Sequence, residues 1–312
     1  MNTAAPEIPP TAALQRLLPV AAAAATGIMV GSTIVATRFV IAQTHPASLA
    51  LLRYVVGLAC LLPALPLAPR VRFAQRDVLP IALLGITQFG ILIALLNFGL
   101  EHISSSLGAL LFATFPLLTM LLAAALGVER LTLPRTLGVS LTVAGVGLAL
   151  AQRLTIPGWA GAQWLGAAAV LASAFSGAAC SVLYRPYLRR YPALPVSAFA
   201  MAASVLVLAA MAAGEGFFAA VPRFTMGGWL AIAYIGASSG AGYYLWLWAL
   251  QHASPTRVTV FLALSPITAT LLGVLLLGEA VSGPFLAGLA CVAGGLWLAH
   301  RERAAAPAVQ PG

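Results

Sequence analysis

Leu100-Glu101-His102-Ile103-Ser104 returns 150 positions later as Leu250-Gln251-His252-Ala253-Ser254, and residues 100–149 align with 250–299 without a gap. Pro116 falls on Pro266, Glu129 on Glu279, Pro134 on Pro284, Gly138 on Gly288 and Gly145 on Gly295. Leucine and alanine matches are cheap in an apolar chain, so the His, Ser, Pro, Glu and Gly coincidences carry the alignment. In a membrane chain such a duplication is the usual trace of two related halves enclosing a solute path.

Composition puts the chain in lipid. Of 312 residues, 61% are hydrophobic and 7% charged, where a soluble domain carries about 25% charged residues. Too few polar side chains exist to cover a water-facing surface. Runs of about 20 apolar residues cross a bilayer. Ten are present, near 17–39, 47–68, 78–100, 105–127, 134–151, 164–187, 195–214, 227–250, 256–277 and 284–299. The expected fold is an all-α integral membrane protein of ten transmembrane helices. The tails are 1–16 and 300–312, and the two five-helix repeats are 17–151 and 152–299.

All sixteen basic residues are arginine. With the N-terminus in the cytoplasm, ten spans leave Arg16, Arg70, Arg72, Arg76, Arg130, Arg135, Arg185, Arg189, Arg190, Arg301 and Arg303 inside, with Arg257 at the inner end of span nine. Only Arg153 and Arg223 fall outside. By the positive-inside rule both termini are cytoplasmic, in a multi-pass cell inner (plasma) membrane protein. The net charge of +9 is then a topology signal. No aromatic-basic patch lies outside the spans, so no nucleic-acid partner is expected. The first apolar stretch reaches Val35, longer than a signal-peptide core, and its basic lead is poor. Cys60, Cys180 and Cys291 lie within spans, as small apolar packing residues rather than a disulfide set. His45, His102, His252 and His300 lack metal-ligand spacing, and no phosphate-binding glycine loop occurs. No metal, cofactor or ATP drive is expected.

Five spans per half is an odd number, so the second half enters the membrane inverted, about a pseudo-two-fold axis in its plane. Glu129 then lies at the cytoplasmic end of span four, and Glu279 at the outer end of span nine. Pro116 and Pro266 fall in mid-span. Each removes a helix hydrogen bond from the carbonyl four residues earlier, on Phe112 and Leu262. A freed carbonyl at membrane depth must face protein or a watery cavity. The two prolines either flank a substrate path, as gating kinks, or bend helices for packing. Gly27 with Gly31, and Gly236 with Gly240, have the four-residue spacing that lets helices approach closely.

Several stretches resemble the EamA-type transporters of the drug/metabolite transporter superfamily. Gly31-Ser32 with Arg38 resembles that family's tryptophan-glycine…lysine opening. Pro46 followed by Leu49-Ala50-Leu51-Leu52-Arg53 also matches, as do Pro116, Glu129-Arg130-Leu131-Thr132 and Gly138 to Gly145. A second copy is carried by Tyr243-Tyr244-Leu245-Trp246, Ala249-Leu250, Ser265-Pro266, Gly278-Glu279 and Gly288 to Gly295. The likeness spans most of 17–299. Val30 replaces the usual tryptophan and Arg38 the usual lysine, and the second opening is faint around Ser176-Gly177 and Arg185. The resemblance implies a ten-helix inner-membrane carrier, with two EamA repeats, moving small metabolites by alternating access. Many relatives export amino acids or related compounds; others handle purines, nucleosides or toxic cations.

Charges inside spans are costly and mark candidate sites. Arg38, near the outer end of span one, and Arg53, about two turns into span two, either hold a substrate carboxylate by paired hydrogen bonds or tie helices together. Gln88 and Asn97 in span three need polar partners, from substrate or from another helix. Ser238 is the 150-offset counterpart of Gln88. Tyr243, Tyr244, Trp246 and Trp248 run through span eight, as an interface belt or as an inward wall for an apolar or aromatic substrate. Glu101 with His102 could relay protons, one-sidedly, since the counterpart of Glu101 is Gln251.

The reading is therefore an exporter of small metabolites, amino acids foremost. Purine, nucleoside or cationic-drug export is the alternative within the same class, and a non-transporting membrane receptor or assembly subunit lies outside it. An enzyme is not expected, because no nucleophile with a base, carboxylate pair or ligand set converges. Expected partners are the substrate and the bilayer; a monomer suffices.

Overall fold

A computed structural model describes residues 10–69, 71–127, 132–154, 161–220, 222–253 and 258–300, and among these the chain is helical, with no strand. Glu129, Ser254, Arg70, Arg130, Arg257, Arg301 and Arg303 lie outside the described residues.

The first helix, α1, is Pro10–Val40, followed by α2 at Pro46–Leu61. A continuous rod then joins α3 (Gln75–Gly85), a π-helical segment (Ile86–Ile91) and α4 (Leu92–His102). Next come α5 (Ser105–Phe112), α6 (Phe115–Ala125) and α7 (Leu133–Leu154). Past these lie α8 (Gly161–Leu183), a short α9 (Arg185–Leu188), α10 (Ala193–Gly214) and α11 (Met226–His252). A 3-10 turn (Val260–Ala263) leads into α12 (Leu264–Leu277), and α13 is Gly283–His300. Among the described residues, six helical stretches are long and apolar enough to cross a membrane: 21–43, 46–67, 75–102, 105–125, 161–188 and 193–214. Three shorter apolar helices, 136–151, 264–277 and 283–298, accompany them. This is a multi-pass membrane protein.

Local chemistry sets the helix ends. Ser104 caps α5 by accepting from the Leu107 amide at 3.3 Å, and Thr225 caps α11 by accepting from the Gly228 amide at 3.0 Å. Pro46 opens α2, where its missing N–H costs nothing. Gly127 (φ 69°) and Gly278 (φ 63°) close α6 and α12 in the left-handed conformation that a side chain would strain.

The prolines do more than bend their helices. The helix ends at Phe112 and restarts at Phe115, with Pro116 in the first turn of α6. Before α12 the helix narrows to the 3-10 turn, and Pro266 again sits just after the restart. A proline lacks the donor for the preceding turn and suits the first turn of a new helix, so each span is broken instead of kinked.

Helix pairs occur in matched sets. The main partners are α1 on α11 and α8 on α4, α2 on α11 and α10 on α3, α1 on α12 and α8 on α6, and α7 on α13. Adding or subtracting 150 converts one member of each set into the other. Helices in lipid gain little from apolar burial against one another, so close approach depends on small residues. A Cβ on Gly145 would stand 2.6 Å from the Gly288 carbonyl oxygen, and one on Gly295 would stand 2.5 Å from that of Gly138. The numbers rise on α7 as they fall on α13, so this seam is antiparallel. Gly27 and Gly31 press likewise on the carbonyls of Phe261 and Ser265, and Gly240 on that of Gly57. Gly145→Val is expected to cost about 1–3 kcal/mol through overpacking. Gly147→Val, where a Cβ meets nothing within 4 Å, is expected to be neutral. Thermal unfolding of the detergent-solubilised protein compares the two, and equal midpoints would remove the seam from the account.

Candidate functional site

A central cavity lies where the broken helices meet the π-helical segment. Phe112 and Leu262, the residues four before the two prolines, both line it, and the Leu262 carbonyl is met by the Leu264 amide at the end of the 3-10 turn. Its free space open to water-sized molecules is ≈ 100 Å³, room for several waters. A larger groove of ≈ 480 Å³ runs between α1, α11 and α12, but its lining carries no charge. Its polar pair, Ser32 and Tyr234, is already self-satisfied at 2.5 Å. Of these two, the central cavity is the one whose chemistry includes a charged side chain.

That chemistry centres on Arg53 of α2, 8% exposed and among the lining residues. Its Nε donates to Ser239 Oγ at 2.6 Å, while that hydroxyl donates its single proton to the Ile235 carbonyl at 2.5 Å. Ser239 thus fixes the guanidinium through its inner edge. The guanidinium carbon stands 5.7 Å from the Tyr54 ring centre. Among the described residues, the two terminal nitrogens have no protein acceptor. They form a fork whose geometry fits a carboxylate.

Gln88 lines the cavity from the π-helical segment, a wide turn that often marks functional positions. Ser238 lines it from α11, one turn from Gly242. The walls are aromatic. Phe89 lies between Tyr54 (centroids 4.8 Å apart) and Tyr243 (4.2 Å), both edge-on, and Trp246 meets Phe115 edge-on at 5.9 Å. Tyr243 and Trp246 are buried and face inward, whereas Tyr244 and Trp248 are only partly buried.

Thus Arg53, Gln88, Ser238, Tyr243 and Trp246 converge, and Pro116 and Pro266 stand beside the breaks. Arg38 and Asn97 do not line the cavity. Arg38 donates through Nη1 to the carbonyl oxygens of Leu100 (2.9 Å) and Glu101 (3.4 Å) at the end of α4. Asn97 is fully buried and donates through Nδ2 to the Pro46 carbonyl at 2.9 Å. Glu101 is exposed, and His102 Nδ1 lies 2.9 Å from the Phe98 carbonyl oxygen on its own helix. Those four hold helix ends or face outward at the same end of the bundle.

Two carboxylates also work at that end: Glu279, which the second-copy motif singles out, and Glu215, which no motif marks. Glu279 accepts from Ser105 N (2.8 Å) and Oγ (2.7 Å) and from Ser106 N (3.0 Å) and Oγ (2.5 Å). It caps the free first-turn amides of α5 from the loop after α12. Glu215 caps α2 in the same way, through Ala47 N (2.9 Å), Ser48 N (2.7 Å) and Ser48 Oγ (2.7 Å). At the opposite end Asp77 receives Tyr191 Oη (2.7 Å) and pairs with Arg190 at 3.3 Å, and Gln251 Nε2 donates to the Leu188 carbonyl at 3.2 Å. Subtracting 150 from Leu188 and Gln251 gives 38 and 101, the positions of the Arg38 contact at the other end.

Partial burial raises the Glu279 carboxyl, but the Ser106 and Ser105 hydroxyls and amides outweigh it and hold the group below the usual carboxylate range. Its folded value is depressed, so its contribution is full above the unfolded value and is lost as pH falls through the folded one. Stability from this cap is therefore expected to be flat from neutral pH down to the ordinary glutamate range and to drop in stronger acid. Glu279→Gln should lose that acid-dependent step. Melting curves of both proteins against pH measure it, and identical acid profiles would remove Glu279 from the account.

A family model for the EamA-like transporter family matches residues 17–151 and 164–301. A protein of Streptantibioticus cattleyicolor named "Probable terminal-alkyne amino-acid exporter" is 30% identical over 250 residues, 80% of this chain and 81% of that protein. An "Uncharacterized transporter" of Archaeoglobus fulgidus is 24% identical over 278 residues, 88% of this chain and 95% of its own. A solved structure named only "Crystal structure of protein" shares the fold, with TM-score 0.69 at 23% identity over 92% of this chain and 96% of that one.

Proposed function

Because this chain belongs to the EamA-like transporter family, and is a membrane transporter rather than an enzyme, we propose that it exports small carboxylate-bearing metabolites, amino acids or related compounds, across the inner membrane by alternating access. The carrying observation is the Arg53 fork, open to a central cavity and held from behind by Ser239. The relative named as an amino-acid exporter supports the same class.

The reading takes ten spans in two inverted five-helix repeats, 17–151 and 152–299. Its support is the 150-residue register, the matched helix pairs and the antiparallel glycine seam of α7 and α13. The arginine distribution puts both termini in the cytoplasm, so the Arg38, Glu215 and Glu279 contacts close the outer end and the Asp77 and Gln251 contacts the inner one. Alternate making and breaking of these end contacts would expose the cavity to one side at a time. No partner chain is needed.

Within the cavity, Arg53 holds the carboxylate, Gln88 and Ser238 contact the polar remainder, and Tyr243 and Trp246 face the apolar body of the substrate. A cationic drug fits less well, because the one charge on the described lining is positive. Losing a charge-assisted hydrogen bond costs about 1.5–3 kcal/mol, or about 10–100-fold in affinity. Arg53→Gln is thus expected to cut amino-acid flux in proteoliposomes about 10–100-fold while the protein still inserts. It should also abolish resistance to toxic amino-acid analogues in overexpressing cells. Undiminished flux in that variant would overturn the anchor role.

A further inference from the structure

Among the described residues, the cavity holds a positive charge with no negative one to answer it. The chain has only seven acidic residues, Glu7, Asp77, Glu101, Glu129, Glu215, Glu279 and Glu302. Glu7 and Glu302 belong to the sequence tails, and Glu129 follows α6 in the sequence. Of the described four, Asp77 is held by Tyr191 and Arg190, Glu215 caps α2, Glu279 caps α5 and Glu101 is exposed at the end of α4. None lines the cavity among the described residues.

The rest of the polar lining is neutral: Thr26, Thr33, Gln88, Ser238, Ser239 and the tyrosines Tyr54 and Tyr243. Thr26 and Thr33 donate to carbonyls of their own helix, and Ser239 donates to Ile235 while accepting from Arg53. Their remaining lone pairs could solvate an ammonium group, but they bring no charge. The Tyr54 ring face softens the guanidinium without neutralising it.

We infer that this cavity is matched to a net monoanion, a small carboxylate with an apolar or aromatic body and no ammonium group. The inference rests on the Arg53 reading above and sharpens its substrate class. In a low-dielectric interior the uncompensated net charge is the costly quantity. A monocarboxylate makes the loaded site neutral. An amino-acid zwitterion leaves it at plus one and adds an ammonium that needs acceptors of its own. A 2-hydroxy acid keeps the carboxylate and the body, and replaces that ammonium with a hydroxyl that Gln88 or Ser238 can bond.

The test compares three ligand series on the purified full chain in detergent: alanine, leucine and phenylalanine, their 2-hydroxy acids, and the amines left when the carboxylate is removed. Ligand-induced thermal stabilisation reports affinity, and inhibition of counterflow in proteoliposomes reports access to the transport path. The expected result is that at least one 2-hydroxy acid binds tenfold or more tightly than its amino acid, the amines give no shift, and Arg53→Gln loses the response to the 2-hydroxy acid. Equal or tighter binding of the amino acids shows an ammonium partner in the site, and overturns the inference while leaving the carboxylate anchor standing. If no acid of either series binds, or if Arg53→Gln binds them as the parent does, the anchor reading fails and the inference fails with it.

Discussion

Hydrocarbon offers no hydrogen bonds, and the centre of this protein is organised around that fact. A helix interrupted at membrane depth leaves carbonyls that lipid cannot satisfy. Pro116 and Pro266 impose two such interruptions, and both fall against the same internal space, lined by Phe112 and Leu262. The breaks and the cavity thus share one place in the interior, beside the π-helical segment. Arg53 lies there with polar company, its Nε held by the Ser239 hydroxyl.

Packing and polarity are divided along the helices. In mid-membrane, backbones touch where a glycine removes the Cβ, as Gly145 against Gly288 and Gly240 against Gly57. Such contacts are smooth and carry no directional bonds, so they hold helices together without fixing their tilt. At the ends the bonds are directional: Glu279 and Glu215 clamp helix N-termini, Arg38 reaches the end of α4, and Asp77 engages Arg190 and Tyr191. The rocking proposed above would use this division: the seams as surfaces to slide on, and the end contacts as what sets discrete states.

Much of this was legible in the chain. The 150-residue register, the apolar runs and the four-residue glycine spacing are local or periodic signals, and among the described residues six long apolar helices and three shorter ones fall on those runs. Arg53, Gln88, Ser238, Tyr243 and Trp246 stood out because polar and aromatic groups are conspicuous in an apolar background. Arg38 and Asn97 stood out for the same reason, yet they hold helix ends, because conspicuousness does not say which face of a helix a residue occupies. Ser239 was invisible as the partner of Arg53, since the pair is 186 residues apart and a serine in a helix can satisfy itself. The caps by Glu215 and Glu279 depend on loops of one helix pair meeting the start of another, which no single-span pattern encodes. The π-helical segment, which no span pattern encodes, lies against α10, with Gly85 facing Ala200 and Gly90 near Ser204.

The two copies are alike in packing and unlike in chemistry. At the 150 offset, Arg53 corresponds to Ala203, Tyr54 to Ser204, Gln88 to Ser238 and Arg38 to Leu188. The first copy supplies the cation, the amide and much of the aromatic wall. The second answers with Ser238, Ser239 and Gly242 on α11, small residues that make room and hold the guanidinium from behind. Helix pairing is free to keep the duplicated pattern, because each seam asks only that two backbones fit. The substrate proposed above, with a carboxylate at one end and an apolar body at the other, has no two-fold axis of its own. A site built equally from both copies would present two half-matched orientations to it, so one copy carrying the charge and the other the space is the arrangement that recognises a single pose.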